Sequence, residues 1–244
     1  MIKYASNAFL ALKISYINEI ANLCEHVGAD VHQVAKAMGQ DGRISPKFLH
    51  PGPGFGGSCF PKDILALSFL GTKFKKPLKT IEAAIEVNNN QWMRMVEKLI
   101  YLLDNKITDK KIGILGLSFK PNTDDMREAS SRALMELLWD AGCRVQAFDP
   151  AAGAEAVRLY DDRPDFMLCE RAEEAIHGAD GLVIVTEWQE FRSPDFNAIK
   201  NALSAPVIFD GRNLYDPDLM RQLGFDYFGI GRGDSIMQAA GDEG

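Results

Sequence analysis

The chain has 244 residues, 46% hydrophobic and 25% charged, which is ordinary for a soluble globular protein and leaves room for one large or two modest domains. A formal net charge of −7, from 27 Lys and Arg against 34 Asp and Glu, argues against bulk attraction to nucleic acid or to an anionic membrane. Any phosphate-bearing ligand must then be held by locally gathered cations.

In chain order, residues 1–28 read as one long helix. Phe9, Leu10, Leu12, Ile14, Ile17, Ile20, Ala21, Leu23, Cys24 and Val27 give it a broad apolar face, and Gly28 stops it. Lys13 interrupts the opening apolar run, which is too short to span a membrane and does not read as a signal peptide. Asn7 and Asn18 are about three turns apart and share a face, with Lys3 one turn before Asn7. A solvated stripe suits Asn18 on this pattern. Asp30 is a plausible cap for a second helix through Met38, and Gly39–Gly57 is a loop of nearly twenty residues, rich in Gly and Pro.

The run Pro51–Asp63, PGPGFGGSCFPKD, crowds glycines and prolines around Cys59 and ends in Lys62 and Asp63. Pro61 suits the first position of a helix that runs to Leu70 and stops at Gly71. Cys59 then precedes a helix N-terminus beside Lys62, where the dipole and the ammonium both favour a thiolate. A glycine-rich loop feeding a helix also suits phosphate. The plainer alternative is an ordinary turn with Cys59 as a small buried hydrophobe. A second long amphipathic helix follows from about Pro77 to Leu103, roughly 40 Å at 1.5 Å per residue and long enough to bridge two domains.

Composition changes at Asn105–Lys111. Apolar strands then alternate with helices: KKIGILGLSF, a helix at Ser130–Ala141, CRVQAFDP, a helix at about 152–158, GLVIVT at 181–186, a helix at 195–203, PVIFD at 206–210, a helix at 216–222, and FDYFGI. This predicts a parallel, doubly wound sheet with its ligand crevice at the carboxyl ends of the strands. Gly113–Gly116 is a degenerate glycine fingerprint. The four cysteines (Cys24, Cys59, Cys143, Cys169) are scattered, without a CxxC pair or Cys/His cluster, so neither a metal nor a disulfide framework is expected, and reduced cytoplasmic thiols are the default.

GFGGSCFPKD resembles the catalytic loop of the nucleotide-sugar 6-dehydrogenases. The resemblance extends to KYASNAFLALKISYINE at Lys3–Glu19, GRISPKFLHPGPG at Gly42–Gly54, GLSFKPNTDDMREAS at Gly116–Ser130 and FDGRNLYD at Phe209–Asp216. It implies an all-α central dimerisation domain, residues 1–104, followed by an α/β Rossmann-like nucleotide-sugar domain, residues 105–235, and a frayed tail, 236–244. It also implies oxidation of a sugar C6 alcohol to a carboxylate in two hydride transfers to NAD. Cys59 would be the nucleophile that forms a thiohemiacetal and then a thioester. Lys3 and Asn7 would stabilise the developing alkoxide, and Asp63 would orient or deprotonate water.

For the substrate, the resemblance points to Phe48, Leu49, Phe55 and Gly56 in the loop and to Phe119, Lys120 and Arg212 in the second domain. It assigns Arg43 to a neighbouring subunit's site, which implies a homodimer through the central helices, and Lys62 and Arg127 to the NAD pyrophosphate. FLHPGPGFGG and EWQEF look more like the UDP-glucose branch, with GDP-mannose or an N-acetylated UDP-hexosamine as alternatives and a non-catalytic dimerising nucleotide-sugar-binding module as a third. No GxGxxG follows an N-terminal strand, so the chain is expected to match the central and C-terminal domains of such enzymes and to be inactive alone.

Overall fold

The computed structural model describes residues 1–232. They form two compact units: Met1–Gln91 with the stretch from Ile230, and Trp92–Gly229. The tail expected at 236–244 lies outside the described residues.

The first unit is helical. Helix α1 spans Ile2–Val27 and ends at Gly28, whose φ of 68° is the left-handed cap that a glycine adopts freely. Helix α2, Val31–Gly39, is capped by Asp30, whose carboxylate accepts from His32 N at 2.7 Å. Helix α3 spans Phe60–Lys73, and α4 spans Lys79–Leu102, of which the part through Gln91 belongs to this unit. Ala8 and Ala11 of α1 are small enough to let Ile64 and Leu67 of α3 close in, and Phe55 and Ala84 complete this core.

Three details depart from the expected pattern. The helix after Cys59 does not stop at Gly71. That glycine lies within it, at a position where an added Cβ would meet Lys76 O at 2.7 Å. The stop comes later, where Lys75 takes φ 57° and two bonds, Lys75 N to Thr72 O (3.0 Å) and Lys76 N to Gly71 O (2.8 Å), close a Schellman motif. The broad apolar face of α1 is also divided: Ala8, Ala11, Ile17, Ala21 and Cys24 are buried, whereas Phe9, Leu23 and Val27 face outward. Finally, Asn18 is not a solvated side chain but is wholly buried.

The second unit is a six-stranded parallel sheet in the order β3-β2-β1-β4-β5-β6. Its strands are β1 Lys111–Leu115, β2 Arg144–Phe148, β3 Phe166–Leu168, β4 Gly181–Ile184, β5 Val207–Asp210 and β6 Asp226–Gly229. The helices between them are α5 Ser130–Asp140, α6 Gly153–Tyr160, α7 Ala172–Ile176, α8 Phe196–Ala202 and α9 Pro217–Gln222. The expected Rossmann-like, doubly wound class is what forms. Its central strands β1, β4 and β5 are apolar because both faces are covered, with Ile112, Ile114, Leu182, Ile184 and Ile208 fully or nearly fully buried. Strand β1 pairs in register with both β2 and β4, so the winding direction reverses beside it, and that is where such folds open a crevice. Strand β3 and helix α7 were not anticipated: three strand residues and five helical ones are too short to show a period.

Candidate active site

Cys59 sits at the N-cap of α3 and is exposed, not buried as a packing cysteine would be. Its φ and ψ of −102° and −59° are already near helical, and its carbonyl accepts Asp63 N at 2.9 Å. The next turn therefore carries Asp63 on the same helix face as the cysteine. Ser58 Oγ lies 3.9 Å from Cys59 Sγ.

Asp63 is where α1 and α3 meet. Asn7 donates Nδ2 to Asp63 Oδ2 at 2.7 Å, and Lys3 Nζ stands 3.3 Å from the same oxygen. The Asp63 side chain is fully buried while that of Lys3 is 65% exposed, so water screens one end of the pair. Burial acts to raise the Asp63 carboxyl. The hydrogen bonds from Asn7 and Lys3, with the charges of Lys3 and Lys62, outweigh it and hold the group below the usual carboxylate range. Asp63 Oδ1 is buried and has no hydrogen-bond partner among the described residues. The structure thus gathers Lys3, Asn7 and Asp63 one helical turn from an exposed thiol.

The loop ahead of Cys59 is held by aromatic packing. The ring of Phe60 sits 5.9 Å from Phe48 and 6.2 Å from Phe55, edge-on to the latter. Leu49 and Phe55 are buried; Gly56 is half-buried, between Gly54 and Gly57, which take φ of 99° and 81°. Arg43 points into solvent and forms a two-pronged pair with Asp41 in its own turn. Lys62 is exposed.

In the second unit the remaining candidates follow strand ends. Phe119 and Lys120 lie beyond β1, with Lys120 Nζ 5.3 Å from the Phe119 ring centre. Arg212 follows β5; its Nε donates to Val185 O at 2.6 Å and lies 2.9 Å from Glu187 Oε2, both beyond β4. Burial lowers the Arg212 guanidinium, against the opposing charges of Glu187 and Asp210. Because the strands are parallel, these loops share one edge of the sheet, the edge at which ligands bind in this architecture. Arg127 is exposed and doubly bonded to Asp125.

The same edge tests whether a dinucleotide fits this unit. In a dinucleotide-binding sheet the acid after β2 accepts from the ribose and the glycines after β1 admit the pyrophosphate. Here Asp149 after β2 is consumed internally. Its Oδ2 accepts from Leu117 N (2.6 Å), Ser118 N (2.9 Å), Ser118 Oγ (3.0 Å) and Trp188 Nε1 (3.1 Å), and its Oδ1 accepts from Ala151 N and Ala152 N. An added Cβ at Gly113 would meet Ala175 O at 2.4 Å, and one at Gly116 would meet Thr186 Cβ at 2.5 Å. The two glycines serve internal packing and the Asp149 carboxylate is taken up by internal donors, so none of the three is free to play its dinucleotide-binding part in this unit. Among the described residues there is no group of three or more His, Cys, Asp or Glu that could hold a metal ion, and no helix long and apolar enough to cross a membrane.

Sequence reasoning missed Asn88, Gln91, Glu187 and Asp149. Asn88 and Gln91 carried a signal: with Ala84 they fall at helical spacing on the buried face of α4, where apolar residues are the rule.

Comparison with known proteins follows the same division. Residues 1–90 match the central domain of the UDP-glucose/GDP-mannose dehydrogenase family, and residues 113–217 match its UDP binding domain. A UDP-glucose 6-dehydrogenase of Rhizobium meliloti is 48% identical over 235 residues, covering 96% of this chain and 53% of the relative. One from Bacillus subtilis is 45% identical over 232 residues, covering 95% of this chain and 52% of the relative. Among solved structures, a UDP-glucose dehydrogenase from Pyrobaculum islandicum superposes with a TM-score of 0.80 at 34% identity, over 94% of this chain and 50% of that one. An NDP-N-acetyl-D-galactosaminuronic acid dehydrogenase from Methanosarcina mazei gives 0.84 at 29%, over 96% and 51%. The chain spans about half the length of the curated relatives it matches. With both of its units matched in order, the chain belongs to the UDP-glucose/GDP-mannose dehydrogenase family.

Proposed function

We propose that this chain supplies the nucleophile and the nucleotide-sugar domain of an NAD-dependent UDP-glucose 6-dehydrogenase, which converts the C6 alcohol of UDP-glucose to the carboxylate of UDP-glucuronate. The observation that carries the reading is the convergence of Lys3, Asn7 and buried Asp63 one turn from exposed Cys59.

On this reading the Cys59 thiolate adds to the carbonyl carbon of the C6 aldehyde, forming the C–S bond and leaving an alkoxide. Lys3 and Asn7 stabilise that oxygen by charge and by hydrogen bonding. At the thioester stage a water oxygen adds to the acyl carbon, the C–S bond breaks, and the sulfur leaves as thiolate with the carboxylate as product. Asp63 is suited to hold this water: its carboxyl titrates below the usual carboxylate range, and its Oδ1 has no hydrogen-bond partner among the described residues. NAD is the hydride acceptor that the overall oxidation requires, and Lys62 and Arg127 are the residues of this chain assigned to its pyrophosphate. Asp149, Gly113 and Gly116 of the second unit are committed to internal contacts and do not hold the adenosine half, and the chain by itself is expected to form no NADH.

Phe48, Leu49, Phe55 and Gly56 are the first unit's residues assigned to the nucleotide sugar, and Phe119, Lys120 and Arg212 are the second unit's. The enzyme is a cytoplasmic homodimer. Ile2, Phe9, Tyr16 and Leu23 support the dimer: they are exposed on α1 at seven-residue intervals, an apolar seam roughly 30 Å long. Arg43, turned into solvent, reaches the neighbouring subunit. UDP-glucose is favoured over an N-acetylated hexosamine because, among the solved structures, identity to the UDP-glucose dehydrogenase is 34%, against 29% for the N-acetylgalactosaminuronic acid enzyme.

Titration calorimetry of the chain with UDP-glucose, GDP-mannose and an N-acetylated UDP-hexosamine, with absorbance at the NADH band in parallel, tests this reading. Binding of UDP-glucose without NADH formation is expected. A tighter fit for another sugar nucleotide would change the substrate, no binding of any would leave a structural module, and steady NADH formation would overturn the inactivity of the isolated chain.

A further inference from the structure

The stretch Pro51–Phe55, buried except at half-buried Gly54, belongs to neither a helix nor a strand. Buried backbone groups must find partners, and here the usual ladder is absent. Side-chain amides take its place. Asn18 Oδ1 accepts from Gly52 N at 2.9 Å, and Gln91 Nε2 donates to Gly52 O at 3.0 Å. Asn88 acts on both sides of one residue: its Oδ1 accepts from Phe55 N at 2.7 Å and its Nδ2 donates to Phe55 O at 3.2 Å. Asn88 therefore pairs with Phe55 as a neighbouring strand residue would. Asn22 Nδ2 reaches Gln91 Oε1 at 3.5 Å, which leaves the Gln91 amide nitrogen turned toward Gly52.

The three amides sit on long helices, Asn18 on α1 and Asn88 and Gln91 on α4, which give the loop a rigid support. All are at most 3% exposed. Their hold passes on by contact, since the Phe55 ring packs edge-on against Phe60, the residue that follows Cys59 and opens α3.

We propose that Asn88, with Gln91 beside it, is a positioning residue that sets the place of the Cys59 thiol through the Phe55 backbone and the Phe55–Phe60 ring contact. The proposal rests on the reading of Cys59 as nucleophile. It adds two residues of α4 to a site otherwise drawn from α1, the glycine-rich loop and α3.

Asn88→Asp in the full chain is the direct test. The variant keeps the shape and the acceptor for Phe55 N, but its ionised form sets an oxygen against Phe55 O. Three quantities are read: hydrogen exchange of residues 51–57 by fragment mass spectrometry, the rate of Cys59 alkylation by iodoacetamide, and the thermal unfolding midpoint. At pH 8 loop exchange is expected to accelerate at least tenfold after correction for intrinsic rates, and the Cys59 rate to change at least fivefold, with the chain still folded. Near pH 5 the corrected loop protection is expected to return, because a buried carboxyl protonates there and regains its donor.

A Cys59 rate that changes by less than fivefold from the parent overturns the proposal, whether or not the loop exchanges faster. Should Asn88→Asp not fold, Gln91→Glu carries the same measurements; failure of both to fold would assign the amides to stability alone and also overturn it. The functional reading fails separately, if Cys59→Ser in an enzyme of the relatives' full length still oxidises UDP-glucose. That result leaves the alkylation comparison standing.

Discussion

Asn7 Nδ2 and Asp63 Oδ2 are 2.7 Å apart, and through this bond the first helix of the chain grips the first turn of the third. Burial works against the Asp63 charge, and the bonds from Asn7 and Lys3 with the charges of Lys3 and Lys62 more than offset it, so the folded carboxyl titrates below its unfolded value. The sign of the linkage follows. The ionised carboxylate contributes stability above the ordinary aspartate range, about pH 4, and that contribution is lost as pH falls through the depressed native value. In Asn7→Leu the largest opposing hydrogen bond is gone. Urea unfolding at a series of pH values from 2 to 7 is expected to show lower stability at pH 7 and a smaller further loss on acidification in the variant, because its native carboxyl titrates closer to the unfolded one; superimposable profiles would contradict this.

Asp149 is an internal staple of the second unit. Six donors converge on its two oxygens, four of them backbone N–H groups from the turns after β1 and β2. Removing the carboxylate strands those buried donors, and even a few of them at about 1–3 kcal/mol each is a large part of a domain's stability. Asp149→Ala is expected to lose roughly 3–5 kcal/mol or to fail to fold, read by denaturant unfolding. A loss below about 1 kcal/mol would show that the turns find other partners.

Gly116 takes φ 94° with Thr186 backbone N 2.6 Å from the position a Cβ would occupy. Strain and overpacking together put Gly116→Ala at about 2–4 kcal/mol of destabilisation, with the loss visible as a lower unfolding midpoint. An unchanged midpoint would mean that the β1 edge is looser than its packing implies.

The alternation of apolar strands and helices was legible because the strands buried on both faces read as continuous hydrophobic runs, as in Ile112–Leu115 and Leu182–Ile184. The Asp63 cluster was legible through resemblance, since Lys3 and Asp63 lie sixty positions apart and no local pattern joins them. What was not legible depended on tertiary partners. Asn18 reads as a polar residue on an amphipathic helix until Gly52 N is seen to need an acceptor. Gly71 reads as a helix stop until Lys76 O is seen to press on it. Asp149 reads as part of the strand CRVQAFDP, and only the fold shows that it faces inward to the turns after β1 and β2.

The cysteines divide by environment. Burial, with Asp180 nearby, pushes the Cys143 thiol up to about 12, and burial likewise raises Cys24 and Cys169, whereas Cys59 stands in solvent at a helix N-terminus. With iodoacetamide at pH 8 on the native chain, Cys59 is expected to be alkylated at least tenfold faster than the other three, as read by peptide mass spectrometry. Equal labelling of Cys24, Cys143 or Cys169 would contradict their burial.

Protection of that thiol by the C6 aldehyde of UDP-glucose probes the nucleophile itself, because addition of sulfur to the carbonyl needs no hydride acceptor. If Cys59 attacks this carbon, the aldehyde slows Cys59 alkylation by at least tenfold in the native chain, while UDP-glucose, which has no carbonyl at C6, slows it far less. Alkylation of Cys59 at the same rate with and without the aldehyde would contradict the account.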